Sequence, residues 1–261
     1  MILHFTETGF LVIMPRDNPR RIVDAILGTG YNEEFCVSLD FSPDFIARLM
    51  AAGFLVMSAK FDNAADEDEP AAHEAAAAAP ETAASNPESA APAPEIQHIL
   101  LPKLHLTRSA LFFDKLHVKK SVKRYFGRYE LRPDADFDSI VNRCQEIHGK
   151  DWLTGPLVEA VRNIRQYRFR GVYPMSFALY RDDKLVAGEF GIKAGGVYTS
   201  YSGYYDENNA GTVQLIHTAR WLQEDGFTFF DLGMPLEYKN ALGAIDISPE
   251  DFIALFRASQ Y

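Results

Sequence analysis

The chain predicts a mixed α+β / α/β protein: a largely antiparallel sheet flanked by helices, preceded by a small N-terminal α+β unit. Three observations predict this. After residue 97 the hydrophobic period switches from helical spacing to strand runs and back; short turn sequences suited to a meander separate those runs; and a polar, Ala/Pro-rich stretch divides this part from a shorter one before it. At 261 residues with 47% hydrophobic content, the chain can bury one or two cores.

GFLVIM, at 9–14, reads as a strand. Asn18-Pro19 opens a helix that Gly28 and Gly30 close, because proline suits the first helical turn and glycine the left-handed exit. Ser42-Pro43 opens a second helix, with Phe45, Ile46 and Leu49 on one face and Gly53 at its end; Phe54 to Met57 then reads as a strand. Residues 1–61 form the small N-terminal domain, marginal alone and expected to pack on the larger C-terminal part. Residues 62–97 hold nine Asp/Glu and no Lys or Arg, and Asp62 to Glu95 lacks Val, Leu, Ile and every aromatic. Such a composition buries too little apolar surface to offset ordering entropy, so a disordered acidic linker or insertion is expected.

In residues 98–261, Asp134 and Asp136 precede an amphipathic helix carrying Phe137, Ile140, Val141, Cys144 and Ile147. Thr154 with Pro156 starts another, bearing Leu157, Val158, Val161 and Ile164, which Gly171 stops. Strand runs follow: YPMSFALY from 173, the RDDK turn, LVAGEFGI from 185, the Gly195-Gly196 turn and VYTSYSGYY from 197. Asn209 or Thr212 caps a long helix through Trp221, closed by Gly226; a strand over Phe227 to Phe230 and a helix opened by Ser248-Pro249 complete the chain. Helix pair, antiparallel meander, helix, strand, helix is the order of a GNAT-like domain.

The net charge of −10 is unfavourable to nucleic acid, yet nine of the 36 acids lie in the 62–97 stretch, leaving 26 basic against 27 acidic residues elsewhere. Between Lys103 and Arg132 there are nine Lys/Arg against two acids. Two readings of this cluster stand: phosphate contacts on one face, or a solvated helix face. Cys36 and Cys144 have no CxxC partner, which fits two buried thiols in a reducing compartment. The N-terminal apolar run is broken by Pro15 and Arg16 and has no basic region before it, so neither a signal peptide nor a membrane span is expected, and cytoplasm is the default. Without HExxH, GxSxG, a P-loop or GxGxxG, neither a metal nor a bound organic cofactor is expected.

Asp231 to Ala244, DLGMPLEYKNALGA, places a carboxylate at the end of an apolar strand and a Pro/Gly-punctuated loop after it, a common position for site residues in α/β folds. This stretch resembles the C-terminal signature of bacterial leucyl/phenylalanyl-tRNA-protein transferases. FSPDFIARLMAAGFLVMS at 41–58, LHVKKSVKR at 116–124, Trp152-Leu153-Thr154, LVAGEFG and Asn209-Ala210 resemble further family motifs in the same order.

The resemblance implies aminolysis of an aminoacyl-tRNA ester by the N-terminal amine of an acceptor protein, by a monomer without metal or membrane contact. Asp231 is then the catalytic candidate, orienting the amine; the alternative is a strand-terminal Asp satisfying loop amides. Glu189, Tyr198, Tyr201, Ser202, Tyr204 and Asn209 become substrate-binding candidates, although alternating aromatics on a strand also suit packing. Arg108, Lys119, Lys120, Lys123 and Arg124 become the tRNA grip. Three departures stand out: the family's Trp-Trp-x-Pro-x-Pro-Arg retains only Arg108, its Glu falls on Tyr201, and the Gln after its Asp falls on Gly233. A fourth, Glu189 at an apolar pocket position, either selects a cationic aminoacyl group or turns to solvent. Together they leave open a catalytically degenerate binding protein for tRNA or protein N-termini.

Overall fold

The computed structural model describes residues 3–61 and 97–260. The acidic stretch expected as a linker therefore lies outside the described residues, except for Gln97, which starts a strand.

In the N-terminal part, β1 (His4–Phe5) pairs antiparallel with β2 (Leu11–Val12). This strand is shorter than expected because Ile13 leaves the pair and donates its N–H to the Val37 carbonyl. Helix α1 (Pro19–Thr29) starts where Asn18 Oδ1 accepts the Arg20 and Arg21 amides, and Gly30 leaves it in the left-handed region. Helix α2 (Pro43–Met50) leads to β3 (Leu55–Phe61), which pairs with β4 (Gln97–Lys103). Then come β5 (Arg108–Leu111), the short α3 (Lys120–Lys123) and β6 (Glu130–Pro133).

The expected helix pair is α4 (Phe137–His148) and α5 (Gly155–Tyr167). Ile147, expected on the buried face, stands exposed in the last turn of α4. Helix α5 ends before Gly171, because Arg168 already turns left-handed with φ 53°. The meander is β7 (Val172–Arg181), β8 (Lys184–Ala194) and β9 (Val197–Tyr205). Asp182 and Asp183, with φ of 50° and 58°, make the first of its turns, a two-residue hairpin loop that short acidic side chains tolerate. Helix α6 (Ala210–Glu224) crosses to β10 (Phe229–Asp231), followed by α7 (Glu237–Ala241), β11 (Ile245–Ile247) and α8 (Pro249–Ala258).

The main sheet has seven strands in the order β11-β5-β10-β9-β8-β7-β6, antiparallel throughout except where β10 runs parallel to β9. Alternation along the strands divides the core. Phe190, Ile192, Val197 and Phe229 pack with α2, α4, α5 and α8, while Phe177, Tyr198 and Phe230 pack with Ala219 and Leu222 of α6. The N-terminal part shares the first of these cores, so its marginal hydrophobic content is completed by the sheet and α8.

One irregularity sets the site. Phe190 pairs with Ser202 but Gly191 with Ser200, leaving Tyr201 as the extra residue of a bulge. Gly191 permits it: a Cβ there would collide with the Thr199 carbonyl and lie 2.7 Å from the Tyr198 ring.

Candidate active site

Asp231 ends β10, the strand that parallels β9 only from Val197 to Thr199. Its side chain is fully buried and both oxygens are occupied. Arg108 Nε donates to Oδ1 at 2.8 Å and the second guanidinium nitrogen to Oδ2 at 2.6 Å; the Gly233 amide completes Oδ1 at 3.0 Å and the Thr199 hydroxyl completes Oδ2 at 2.7 Å. The guanidinium in turn lies 4.3 Å from the centroid of the Phe252 ring of α8. This bidentate, buried pair joins β5, β9, β10 and α8. The carboxylate thus accepts four hydrogen bonds, one of them from the amide of the loop that follows β10.

Arg108, a candidate for the tRNA grip, is buried with that carboxylate. It is 1% exposed and is the counter-ion of Asp231. Beside it sit buried polar atoms without partners: both ring nitrogens of His105, the Nη1 nitrogen of Arg108 that does not bond Asp231, and the Ser109 hydroxyl. Burial first, then the charges of Arg108, Lys103 and Lys239, push His105 down to about 2, which keeps its imidazole neutral.

On the α6 face, Glu189 lies opposite Phe177 in register and is 2% exposed. Solvent exposure, the bland alternative for this residue, is excluded. Burial raises its carboxyl to about 7 against the weaker opposing effects of Ser200, Tyr198, Gln214 and Lys239. Ser200 donates to Oε2 at 3.3 Å, whereas Oε1 and the nearby Tyr198 hydroxyl lack any partner in hydrogen-bond geometry. Lys239 lies within electrostatic reach of both carboxylates. Burial lowers its ammonium to about 8, opposed by Asp231 and Glu189, and it donates to the carbonyls of Leu232 at 2.6 Å and Met234 at 2.8 Å.

The remaining candidates diverge. The Tyr201 hydroxyl, raised by burial, accepts the Val56 amide at 2.9 Å and is committed to the N-terminal part. Ser202 lies toward α4 beside the Cys144 thiol, which burial pushes up to about 12. Tyr204 packs over Gly188 and Ile140, raised by burial to about 12. Asn209 stands exposed at the start of α6 with φ 71° and no side-chain cap. The bulge separates Tyr201 and Ser202 from the α6 face, so Glu189, Tyr198 and Ser200 are the group that the structure brings together. Sequence reasoning missed Thr199, His105 and Lys239; the one available signal was Lys239, the lone cation of the DLGMPLEYKNALGA stretch.

That stretch closes on the basic segment. His117 donates its amide to the Leu242 carbonyl at 2.8 Å, and Gly243, at φ 96°, approaches the Lys115 carbonyl so closely that a Cβ would collide with it. Gly243→Ala is therefore expected to lower stability by about 2 kcal/mol or more, through left-handed strain plus the clash; a thermal melt reads it, and an unchanged melting temperature contradicts the close approach. From this tie the chain runs past Lys119, Lys120, Lys123 and Arg124, all exposed. Neither they nor Arg128 and Arg220 have a carboxylate partner among the described residues; the neighbouring Lys115 and Arg132 pair with Asp114 and Glu130. No helix of the described residues is long and apolar enough to cross a membrane.

Residues 110–257 match the model of the leucyl/phenylalanyl-tRNA protein transferase family. A leucyl/phenylalanyl-tRNA–protein transferase of Pseudomonas putida (strain W619) is 29% identical over 150 residues, 56% of this chain and 65% of that protein. One of Rubrobacter xylanophilus is 26% identical over 148 residues, 56% of this chain and 75% of that protein. The match thus spans just under two thirds of the Pseudomonas protein. Among solved structures, L-PGS from Bacillus licheniformis aligns with 59% of this chain and 65% of its own at 12% identity and a TM-score of 0.39.

Proposed function

Since the chain belongs to the leucyl/phenylalanyl-tRNA protein transferase family, we propose that it transfers an amino acid from aminoacyl-tRNA to the N-terminal amine of an acceptor protein. The observation that carries this is the extent of the family match, from β5 to α8, which takes in the β9–α6–β10 crossover and the whole Asp231–Ala244 loop. The reaction is an aminolysis: the neutral amine attacks the ester carbonyl, an oxyanion forms, the ribose oxygen leaves with a proton, and an amide remains. With an α-amine pKa near ~8, about a tenth of the acceptor is neutral at pH 7, so positioning supplies most of what the reaction needs.

In this proposal the substrate meets the α6 side of the sheet where the β9–β10 pairing ends at Thr199 and Asp231. Glu189, with one unpartnered oxygen and a carboxyl that titrates near 7, receives the acceptor ammonium and takes its proton at little cost. Tyr198 and Ser200 supply hydroxyls beside it. Asp231 is a positioning residue that holds the loop through Gly233 and Arg108. Lys119, Lys120, Lys123 and Arg124 contact tRNA phosphates, so tRNA affinity should fall steeply with salt. The same proposal assigns a GNAT-like architecture to residues 98–261, supported by the parallel β9–α6–β10 unit in an otherwise antiparallel sheet, a small N-terminal domain to residues 1–61, and action in the cytoplasm as a monomer.

A second reading, a binding protein that has lost turnover, is favoured by one observation: the Asp231 oxygens are all taken and the family's Glu is a tyrosine bonded to Val56. One experiment separates the two. The full chain is incubated with a mixture of charged tRNAs and a peptide beginning with Lys or Arg, and the peptide is weighed by mass spectrometry. An added aminoacyl mass supports transfer and identifies the group; tRNA binding without any mass addition supports the second reading.

A further inference from the structure

On the outer side of α6 a hollow of about 260 Å³ is lined by Leu131, His217, Arg220, Trp221 and Glu224. Its lining combines two aromatic rings, a guanidinium and a carboxylate. Phe126 packs edge-on against His217 with ring centroids 4.9 Å apart, and the Arg220 guanidinium lies 4.8 Å from the Phe126 centroid. Next along the same surface, Arg124 and Arg128 both lie over the Tyr125 ring, at 4.8 and 5.2 Å. His217 Nε2 is buried without a hydrogen-bond partner. Desolvation and Arg220 lower this imidazole, leaving one ring nitrogen free to accept and the other to donate.

We propose that this hollow is an accessory subsite for one unpaired base of the tRNA, at the far end of a track that begins at the site loop. The track is physical: the segment tied to Leu242 and Gly243 carries Lys119, Lys120, Lys123, Arg124 and Arg128 across α6 to Phe126 and Arg220. Cations with no carboxylate partner among the described residues, interleaved with aromatic rings, suit a single strand whose bases stack while its phosphates are neutralised. Glu224 decides between base and phosphate within the hollow. A carboxylate there repels a phosphate, but accepts hydrogen bonds from the amino or ring N–H edge of a base.

This inference rests on the tRNA part of the proposed function, and its test keeps the two apart. In the Trp152→Phe variant Trp221 is the only tryptophan, so stacking is read as quenching of its fluorescence, while anisotropy of end-labelled, uncharged tRNA reads binding itself. Saturable quenching is expected at the concentration where anisotropy saturates. Arg220→Ala, an exposed position, is expected to weaken tRNA binding about tenfold, the scale of one lost stacking contact. A tRNA bearing 4-thiouridine should crosslink to the peptide containing 210–224, an independent readout that uses the wild-type chain. If anisotropy shows binding but Trp221 is unquenched, the crosslinks fall elsewhere and Arg220→Ala binds normally, the subsite is wrong while the tRNA grip stands. If tRNA does not bind at all, the proposed function falls with it. Quenching by polyglutamate but not by tRNA would assign the hollow to an acidic protein and overturn the proposal.

Discussion

Asp231→Ala is expected to destabilise the protein by about 3–5 kcal/mol and to abolish the proposed transfer, because it leaves the Arg108 guanidinium buried with its charge uncompensated. The loss reaches beyond the pair: Thr199 and the Gly233 amide also lose their acceptor, and the loop that follows β10 loses its anchor. Urea denaturation reads the stability, and a loss below about 1 kcal/mol would mean that the pair is far better solvated than its geometry indicates. Stability and chemistry can be separated. The double substitution Arg108→Met with Asp231→Leu replaces both charges by apolar groups and is expected to recover most of the stability, as buried pairs often permit. If transfer returns with it, Asp231 only holds the fold; if the protein is stable but inactive, the ion pair orders the loop for the reaction in a way that apolar packing does not replace.

Glu189→Gln is expected to change the pH dependence of stability more than any surface substitution. The folded-state carboxyl titrates near 7, against an ordinary value of 4.5. Between those values the folded protein binds the proton that the unfolded chain has lost, so stability is full below about pH 4.5, declines as pH rises through about 7, and is level above. The decline amounts to about 3 kcal/mol. Lys239, Ser200, Tyr198, Gln214, Tyr238 and Cys144 are the groups that feel or face this charge, and of these Lys239, with its own ammonium lowered to about 8, is the one whose titration overlaps. Glutamine carries no charge at any pH, so the stability difference between variant and wild type should shift by about 3 kcal/mol in the variant's favour from pH 4 to pH 8. Denaturant titrations at both ends measure it; parallel curves at the two pH values would place Glu189 in contact with water. If Glu189 takes the amine's proton, kcat/KM of the wild type rises through pH 7 and the variant loses that limb of the profile.

Much of the fold was legible because it follows from short-range chemistry. Asn18 caps α1 and Ser248 Oγ accepts the Asp251 amide at 3.1 Å to start α8. The adjacent aspartates at 182 and 183 make the hairpin turn, and apolar residues at helical spacing mark α4 and α5. Strands β4, β5, β6 and β11 were not legible. Each is short or irregular in sequence and exists because a distant strand supplies its hydrogen bonds, as Ile245 does for Ala110. The candidate site divides in the same way. Asp231 and Glu189 stand out in sequence as carboxylates in apolar runs, but their roles depend on neighbours that no spacing rule connects to them.

From its residues alone, then, this protein specified its local elements, the charge separation between an acidic stretch and a basic segment, and an ordered set of motifs that points to its family. Tertiary structure alone decided that Arg108 and Asp231, 123 residues apart, close on each other, and that Tyr201 turns toward Val56 while Glu189 turns under α6. The reason is that side-chain facing along a strand is set by register. One extra residue in β9 shifts that register, and the shift is stabilised by contacts with β8, β10 and the N-terminal part that come together only on folding.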